Sequence, residues 1–266
     1  MTAPIVGQRR TRDTDDSEEE DHDAGAPVTK LARLEEHPAS QRVDLSRFEV
    51  EDLPGAEVSY IADFVSDEVA TRWYHDLERL EFYHPTLKVY GRPVKQSRSI
   101  AGYTTSPSLV LKYSGHEVSL RRTSDTALPP VLQSIWAQVS RRLGMDFNCV
   151  LLNRYASGEE TIGKHRDTKE NGVIASLSLG AVRTFHLIPN NPDGGAKTKK
   201  WPLANGSLLV MSGATQDNWK HEIPKEAHVK DGRISLTFRQ LPEPKAGDGA
   251  KKQRPTTRRK PNDIGR

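Results

Sequence analysis

The sequence has one cysteine, Cys149, in 266 residues, which excludes an intramolecular disulfide and any zinc site built on cysteines. No apolar run approaches the roughly 20 residues that a membrane-spanning helix needs. The N-terminal basic residues are not followed by an apolar stretch, so the chain does not read as carrying a secretory signal. Aromatic residues are missing from both ends, and every Phe, Trp and Tyr lies between Asp44 and Pro242. These absences leave a soluble intracellular protein as the expected class, with no membrane partner.

Without aromatics, neither end buries enough apolar surface to offset the entropy of ordering it. Residues 1–43 hold 6 Lys/Arg against 10 Asp/Glu. The self-repelling run from Asp13 to Asp21 reads as an extended, solubilising arm. Residues 243–266 hold 8 Lys/Arg against 3 Asp/Glu. Their clusters Lys251-Lys252-Gln253-Arg254 and Arg258-Arg259-Lys260 read as a nuclear-localisation signal or a phosphate-tracking patch. The expected organisation is a disordered acidic arm over 1–43, one folded domain over 44–242 and a disordered basic tail over 243–266. Nothing in the pattern calls for an obligate oligomer, so a monomer is expected.

Within the domain, Ser66-Asp67-Glu68 supplies a capping hydroxyl and first-turn acids. Val69, Trp73, Leu77 and Leu80 then recur at helical spacing. Pro129-Pro130 opens a second helix with Val131, Leu132, Ile135, Trp136, Val139 and Leu143 on one stripe, and Gly144 ends it. Beyond Gly144 the pattern changes to short strands: Cys149–Tyr155, Val173–Leu179, Arg183–Ile188, Ser207–Met211, Trp219–Ile223 and Arg233–Phe238. Two helices leading into a run of strands predict an α+β fold, helices packed on a β-sandwich or jelly roll.

His165-Arg166-Asp167 puts a histidine and a carboxylate two residues apart. On extended backbone both project to one face and can approach one ion. A second histidine from a distant strand would complete a set that leaves positions open on Fe(II). His221 is the natural candidate, with His186 and His228 as alternatives. In Arg233-Ile-Ser-Leu-Thr-Phe-Arg239, residues Arg233, Ser235, Thr237 and Arg239 share a face. In isolation that is an edge strand with a solvated basic side. Beside a metal, an inward arginine is a two-pronged clamp for a dicarboxylate. Asn153 and Tyr155 share a further strand face and can add hydrogen bonds.

The stretches Leu151-Leu-Asn-Arg-Tyr155, His165-Arg-Asp167, Ile174-Ala-Ser-Leu-Ser-Leu-Gly180, Asn205-Gly-Ser-Leu-Leu-Val-Met211, Trp219-Lys-His221 and Arg233 to Arg239 come in a telling order. Together they resemble the AlkB-type Fe(II)- and 2-oxoglutarate-dependent dioxygenases, particularly the eukaryotic branch acting on double-stranded DNA. The likeness spans most of 148–240 and extends loosely back to about Leu87. It implies a double-stranded β-helix (jelly roll) with flanking helices, in which His165, Asp167 and His221 hold Fe(II). It implies 2-oxoglutarate as co-substrate, its distal carboxylate on Arg233, with Asn153, Tyr155, Thr237 and Arg239 positioning it. The implied reaction is oxidative demethylation: oxygen and 2-oxoglutarate are consumed, succinate and CO2 released, and an N-methyl group is hydroxylated and lost as formaldehyde. The implied partner is DNA, with RNA as the alternative, carrying bases such as 1-methyladenine or 3-methylcytosine. The implied location is the nucleus.

On the substrate side, Val89-Tyr90-Gly91 resembles the finger that enters the duplex, with Tyr90 where phenylalanine is usual. Ala101 to Thr105 and Lys112 to Gly115 resemble the lining of the base pocket. Tyr103 or Tyr113 is therefore a candidate to stack on a flipped base. Arg92, Lys95 and Arg98 are candidate phosphate contacts. Two departures bear on the substrate. Lys169 stands where an acidic residue near the base is usual, leaving its neighbours Thr168 and Glu170 as candidates, and Ser235 stands where asparagine is usual. Two rival classes are a nucleic-acid-binding protein without turnover and a protein hydroxylase. The complete metal set opposes the first, and the finger the second.

Overall fold

The computed structural model describes residues 42–89, 91–113, 116–168, 172–191 and 195–242. All but Arg42 and Val43 of the acidic arm, and the whole basic tail, lie outside them. A short 3-10 helix, Leu45–Phe48, precedes β1 (Glu57–Ile61) and α1 (Asp67–Glu78). A hairpin of β2 (Thr86–Val89) and β3 (Arg92–Lys95) comes next, then β4 (Ser99–Thr104). Three short strands follow: β5 (Lys112–Tyr113), β6 (His116–Glu117) and β7 (Leu120–Arg122). Helix α2 (Pro130–Leu143) leads into β8 (Cys149–Tyr155), β9 (Ile162–His165), β10 (Ile174–Gly180) and β11 (Arg183–Pro189). The chain continues through β12 (Lys199–Leu203), β13 (Leu208–Ser212), the one-turn helix α3 (Thr215–Asn218), β14 (Trp219–Ile223) and β15 (Arg233–Arg239).

The larger sheet has the order β1-β13-β10-β15-β8-β4-β7 and the smaller β12-β11-β14-β9. Every pairing in both is antiparallel except β4 with β7. Side-chain alternation gives the larger sheet two employed faces. One face packs against the helices: Ala101, Val150, Leu152, Ala175, Leu177, Ile234, Leu236 and Phe238 meet Trp73, Leu77, Leu132, Ile135 and Trp136. The other meets the smaller sheet, where Tyr155, Ile174, Leu209 and Met211 pack on Ile162, Phe185, Leu187, Trp219 and Ile223. This is the expected jelly roll with helices on one side.

Both helices form for the expected reasons. The Ser66 hydroxyl accepts from the Val69 N–H, Asp67 and Glu68 occupy the first turn, and Gly144 caps α2 at φ 64°. The stripe of α1 is rotated slightly, so Ala70, Trp73 and Leu77 are its fully buried residues while Val69 and Leu80 pack at the margin. The order of elements differs from the sequence reading, because β1, β4 and β7 precede α2 yet join the larger sheet. Strand β15 is not an edge: it lies between β10 and β8 with all seven residues buried.

Arg183, 1% exposed, ties the loops at one end of the barrel. Its Nε donates to Glu226 Oε2 at 2.9 Å, and its other N–H groups reach the carbonyls of Ser157, Glu160 and Pro224 at 3.1, 3.0 and 2.6 Å. Glu226 also accepts from the N–H and hydroxyl of Thr184 at 3.0 and 2.7 Å. The fit is tight: a Cβ on Gly158 would run into the Glu226 carbonyl. Burial alone would raise the Glu226 pKa, but the Thr184 hydrogen bonds and Arg183 more than offset it and hold the carboxyl below its ordinary value.

Arg183→Ala should therefore cost about 3–5 kcal/mol, the range for breaking a buried pair from one side, read by urea unfolding at pH 7. The folded Glu226 carboxyl titrates below its unfolded value of about 4.3. Its stabilisation is thus full above that pH and is lost as pH falls through the lower folded value. Glu226→Gln should lower stability at pH 7 and flatten the acid limb of the stability curve. A cost below about 1 kcal/mol for Arg183→Ala would show that the clamp does not hold these loops.

Candidate active site

Strand β9 ends at His165, in register with His221 on β14. Both imidazoles turn toward the interior between the sheets, their ring centroids 4.2 Å apart. Phe185 of β11 stacks on His221 at 5.6 Å and 19°. The chain leaves β9 after His165, and the Asp167 N–H donates to Gln216 Oε1 of α3 at 3.0 Å. Asp167 Oδ1 accepts from Arg239 Nη2 at 2.9 Å, and Oδ2 lies 3.9 Å from His221 Nε2. The His165 Nδ1–H donates to the Gly163 carbonyl at 2.8 Å, which makes Nε2 the ring nitrogen with a lone pair to offer.

Electrostatics put these three groups in ligand form. Burial, reinforced by neighbouring His165, pushes the His221 pKa down to about 3. Burial also lowers His165, with Asp167 opposing. Asp167 is driven up by burial, but Arg239 and the two histidines override this and hold its carboxyl at about 2. The result is two neutral imidazoles beside an ionised carboxylate. Among the described residues no three His, Cys, Asp or Glu groups are already spaced as a metal cage, and Arg239 holds one Asp167 oxygen. The fit therefore rests on the chemistry of the donor set, which suits a first-row divalent metal with open positions.

Deeper along the same face, Arg233 is 2% exposed. Its Nη2 donates to Ser178 Oγ at 2.8 Å, and its Cζ lies 5.4 Å from the Tyr155 ring. Its Nε and Nη1 are buried without a hydrogen-bond partner. Unmatched buried N–H groups on a guanidinium are costly, and a carboxylate is the group that satisfies two of them at once.

A model of the 2OG-Fe(II) oxygenase superfamily matches residues 57–239. The human protein named DNA oxidative demethylase ALKBH2 is 33% identical over 200 residues, 70% of this chain and 74% of that protein. Its Arabidopsis thaliana namesake is 30% identical over 227 residues, 76% of this chain and 69% of that protein. The chain belongs to the AlkB-type 2OG-Fe(II) oxygenases. Human alpha-ketoglutarate-dependent dioxygenase alkB homolog 3 is 38% identical over 127 residues, 44% of this chain and 44% of that protein. The match thus spans under half the length of the alkB homolog 3 relatives.

Fe(II) and 2-oxoglutarate are the metal and co-substrate of the AlkB-type oxygenases, and the residues present fit both. His165, Asp167 and His221 would hold the metal, and Arg233 would take the distal carboxylate. His186 pairs instead with Glu222 at 3.0 Å on the opposite face of β14, and His228 lies in the loop before β15. Asn153, Tyr155, Thr237 and Arg239 share the inward face with Arg233, through the register of β8 with β15. Asn153 Oδ1 is already engaged, accepting from Arg98 Nε at 2.8 Å, and Ser235 Oγ lies 2.9 Å from Ser176 Oγ.

Two substrate expectations need correction. Arg98 is completely buried, bonded to Asn153 and Gln96, and so cannot meet a phosphate. Tyr103 stands on the helix-facing side of β4 within the core, its hydroxyl accepting from Arg121 at 3.3 Å, and so does not line the site. Of the finger, Val89 pairs with Arg92 and Gly91 sits in the turn at φ 77°, while Tyr90 lies outside the described residues, as does Glu170. Strand β3 is exposed throughout, including Arg92 and Lys95. Tyr113 pairs with His116 in a two-stranded ribbon. Thr168 is exposed directly after Asp167. Sequence reasoning missed Gln216 and Phe185 as supports of the metal set, and Arg98 as an interior residue.

Arg233→Met tests the clamp. Titration calorimetry without oxygen should show 2-oxoglutarate binding roughly 30-fold weaker or worse, as expected when one partner of a buried charged pair is truncated. Stability of the ligand-free protein should hold or rise, because an unmatched buried ion is replaced by an apolar chain of similar size. Unchanged affinity would place the co-substrate elsewhere.

Proposed function

We propose that this protein removes methyl groups from base nitrogens in DNA, with 1-methyladenine and 3-methylcytosine as the substrate type. The observation that carries the oxygenase half is the pairing, within one barrel, of the His165–Asp167–His221 set with the unmatched guanidinium of Arg233. The nucleic-acid half is supported by the two relatives named DNA oxidative demethylase and by the exposed strand β3. A nuclear location, acting as a monomer, goes with that reading.

His165, Asp167 and His221 would hold Fe(II), which would supply the open positions for the oxidation that couples 2-oxoglutarate and oxygen to loss of the methyl group as formaldehyde, with succinate and CO2 released. The chain's own residues hold and orient. Arg239 and Gln216 fix Asp167 from its carboxylate and its N–H. The Gly163 carbonyl selects the His165 tautomer. Arg233 binds the far end of the co-substrate against Tyr155. The apolar packing of Phe185, Ile174 and Trp219 between the sheets keeps bulk water out.

The deciding assay incubates the protein with Fe(II), 2-oxoglutarate, oxygen and a panel of methylated single- and double-stranded DNA and RNA oligonucleotides. Succinate and loss of the methyl group are both read by mass spectrometry. Demethylation of a DNA base is the expected result; turnover confined to RNA, or succinate without demethylation, would overturn the DNA assignment. His165→Ala should abolish turnover while oligonucleotide affinity stays within about twofold, since surface phosphate contacts dominate affinity. Joint loss of turnover and affinity would mark His165 as structural.

A further inference from the structure

We infer that the outward side of the smaller sheet, at its β9 edge, is the track along which the substrate strand's phosphodiester backbone runs, with Lys164, Arg166 and Lys220 as its phosphate contacts. This rests on the nucleic-acid reading above. The argument begins with parity. On β14, alternation turns Lys220 away from the inward His221, and on the other segment the two residues flanking His165, Lys164 and Arg166, lie at the surface. His221 matches His165, so Lys220 directly precedes the matched position on β14, while Lys164 and Arg166 flank it on the other segment. Lys164 and Arg166 are exposed and Lys220 is half-buried.

Three cations flanking one matched pair of strand residues repel one another. Nothing nearby neutralises them: among the described residues no carboxylate or carbonyl engages Lys164, Arg166 or Lys220. Other surface lysines do find acids, as in Lys199 with Asp52 and Lys225 with Glu159. Glu222, the carboxylate on this same face, is taken by His186 at 3.0 Å. An unneutralised basic cluster calls for an external anion.

Its position selects the anion. Strand β9 is the outermost strand of its sheet and carries His165 at its end. A base entering the metal site would therefore have its flanking phosphates passing over the β9 edge. That edge is open, because Gly163 is exposed and has nothing within 4 Å of where a Cβ would stand. A backbone can lie against it, with Lys164 and Arg166 following on one side of the crossing. A basic path beside a base-accepting pocket is how single strands are held without sequence readout. The burial of Arg98 removes the phosphate contact expected from sequence, and this row supplies replacements.

The test is fluorescence anisotropy of a methylated single-stranded DNA oligonucleotide with the full chain over a range of salt concentrations. Each phosphate contact on a single strand contributes about 0.7 to the slope of log K against log salt. The triple variant Lys164→Gln/Arg166→Gln/Lys220→Gln should lose about 2 from the slope and bind at least tenfold more weakly at low salt. Lys164→Gln/Lys220→Gln, which leaves the residue between the metal ligands untouched, should lose about 1.4. Thermal midpoints of both variants, matched to the wild type, separate contact loss from misfolding. A wild-type slope retained by the double variant overturns the track while the proposed function stands. No salt-dependent binding by the wild-type protein overturns both.

Discussion

The structure turns on putting two guanidinium groups into the middle of a sheet. Strand β15 is buried along its whole length, yet Arg233 and Arg239 occupy its ends on the inward face. A buried charge is tolerated when geometry and hydrogen bonding return what desolvation takes. Arg239 meets that condition through Asp167 at 2.9 Å, and in doing so fixes the carboxylate that stands beside His221. Arg233 meets it in part, through Ser178 and the face of Tyr155, and keeps Nε and Nη1 unmatched. One strand therefore carries both a structural ion pair and a deliberate deficit.

Such a strand is stable because its other face is wholly apolar. Ile234, Leu236 and Phe238 are fully buried against the helix layer, where Phe238 meets Trp136 edge-on at 5.8 Å. Even-numbered residues supply burial and odd-numbered residues supply chemistry. A slip of one residue in the pairing with β8 or β10 would drive both arginines into the helix-facing core, so register is enforced far more strongly than by backbone hydrogen bonds alone. Helices α1 and α2 thus contribute to the site without touching it.

Parity also explains what was readable from sequence. Strands β8, β14 and β15 were legible at or near their observed limits because turn residues bound them and alternation marks their faces. The residues alone leave His221 beside His186 and His228, and the family resemblance selects it; in the fold it shares the buried face of β14 with Trp219 and Ile223. Strand β4 was not legible: Ser-Ile-Ala-Gly-Tyr-Thr is buried on both faces and mostly small, so it shows no alternation. With no alternation its parity cannot be counted, so nothing in the sequence opposes a resemblance that puts Tyr103 at the base pocket, or a phosphate role for Arg98. Strand β12, Lys-Lys-Trp-Pro-Leu, was hidden by charge and a proline. Gln216 reaches Asp167 across 49 residues of chain from a one-turn helix, and no local pattern announces such a contact.

The interior charge balance narrows what the site accepts. Among the described residues Asp167 is the only buried carboxylate, whereas Arg233 and Arg239 both lie buried on the inward side of the larger sheet. Arg183, also buried, is matched by Glu226 and so stands outside this account. A divalent metal adds two further positive charges. One carboxylate cannot balance that sum in a low-dielectric interior, where uncompensated charge is most expensive. A monocarboxylate would leave either the metal or Arg233 without its anion. A dicarboxylate whose ends are held at the metal and at Arg233 answers both at once. Selectivity for a co-substrate of that charge is thus built into the balance of the barrel as much as into any single contact.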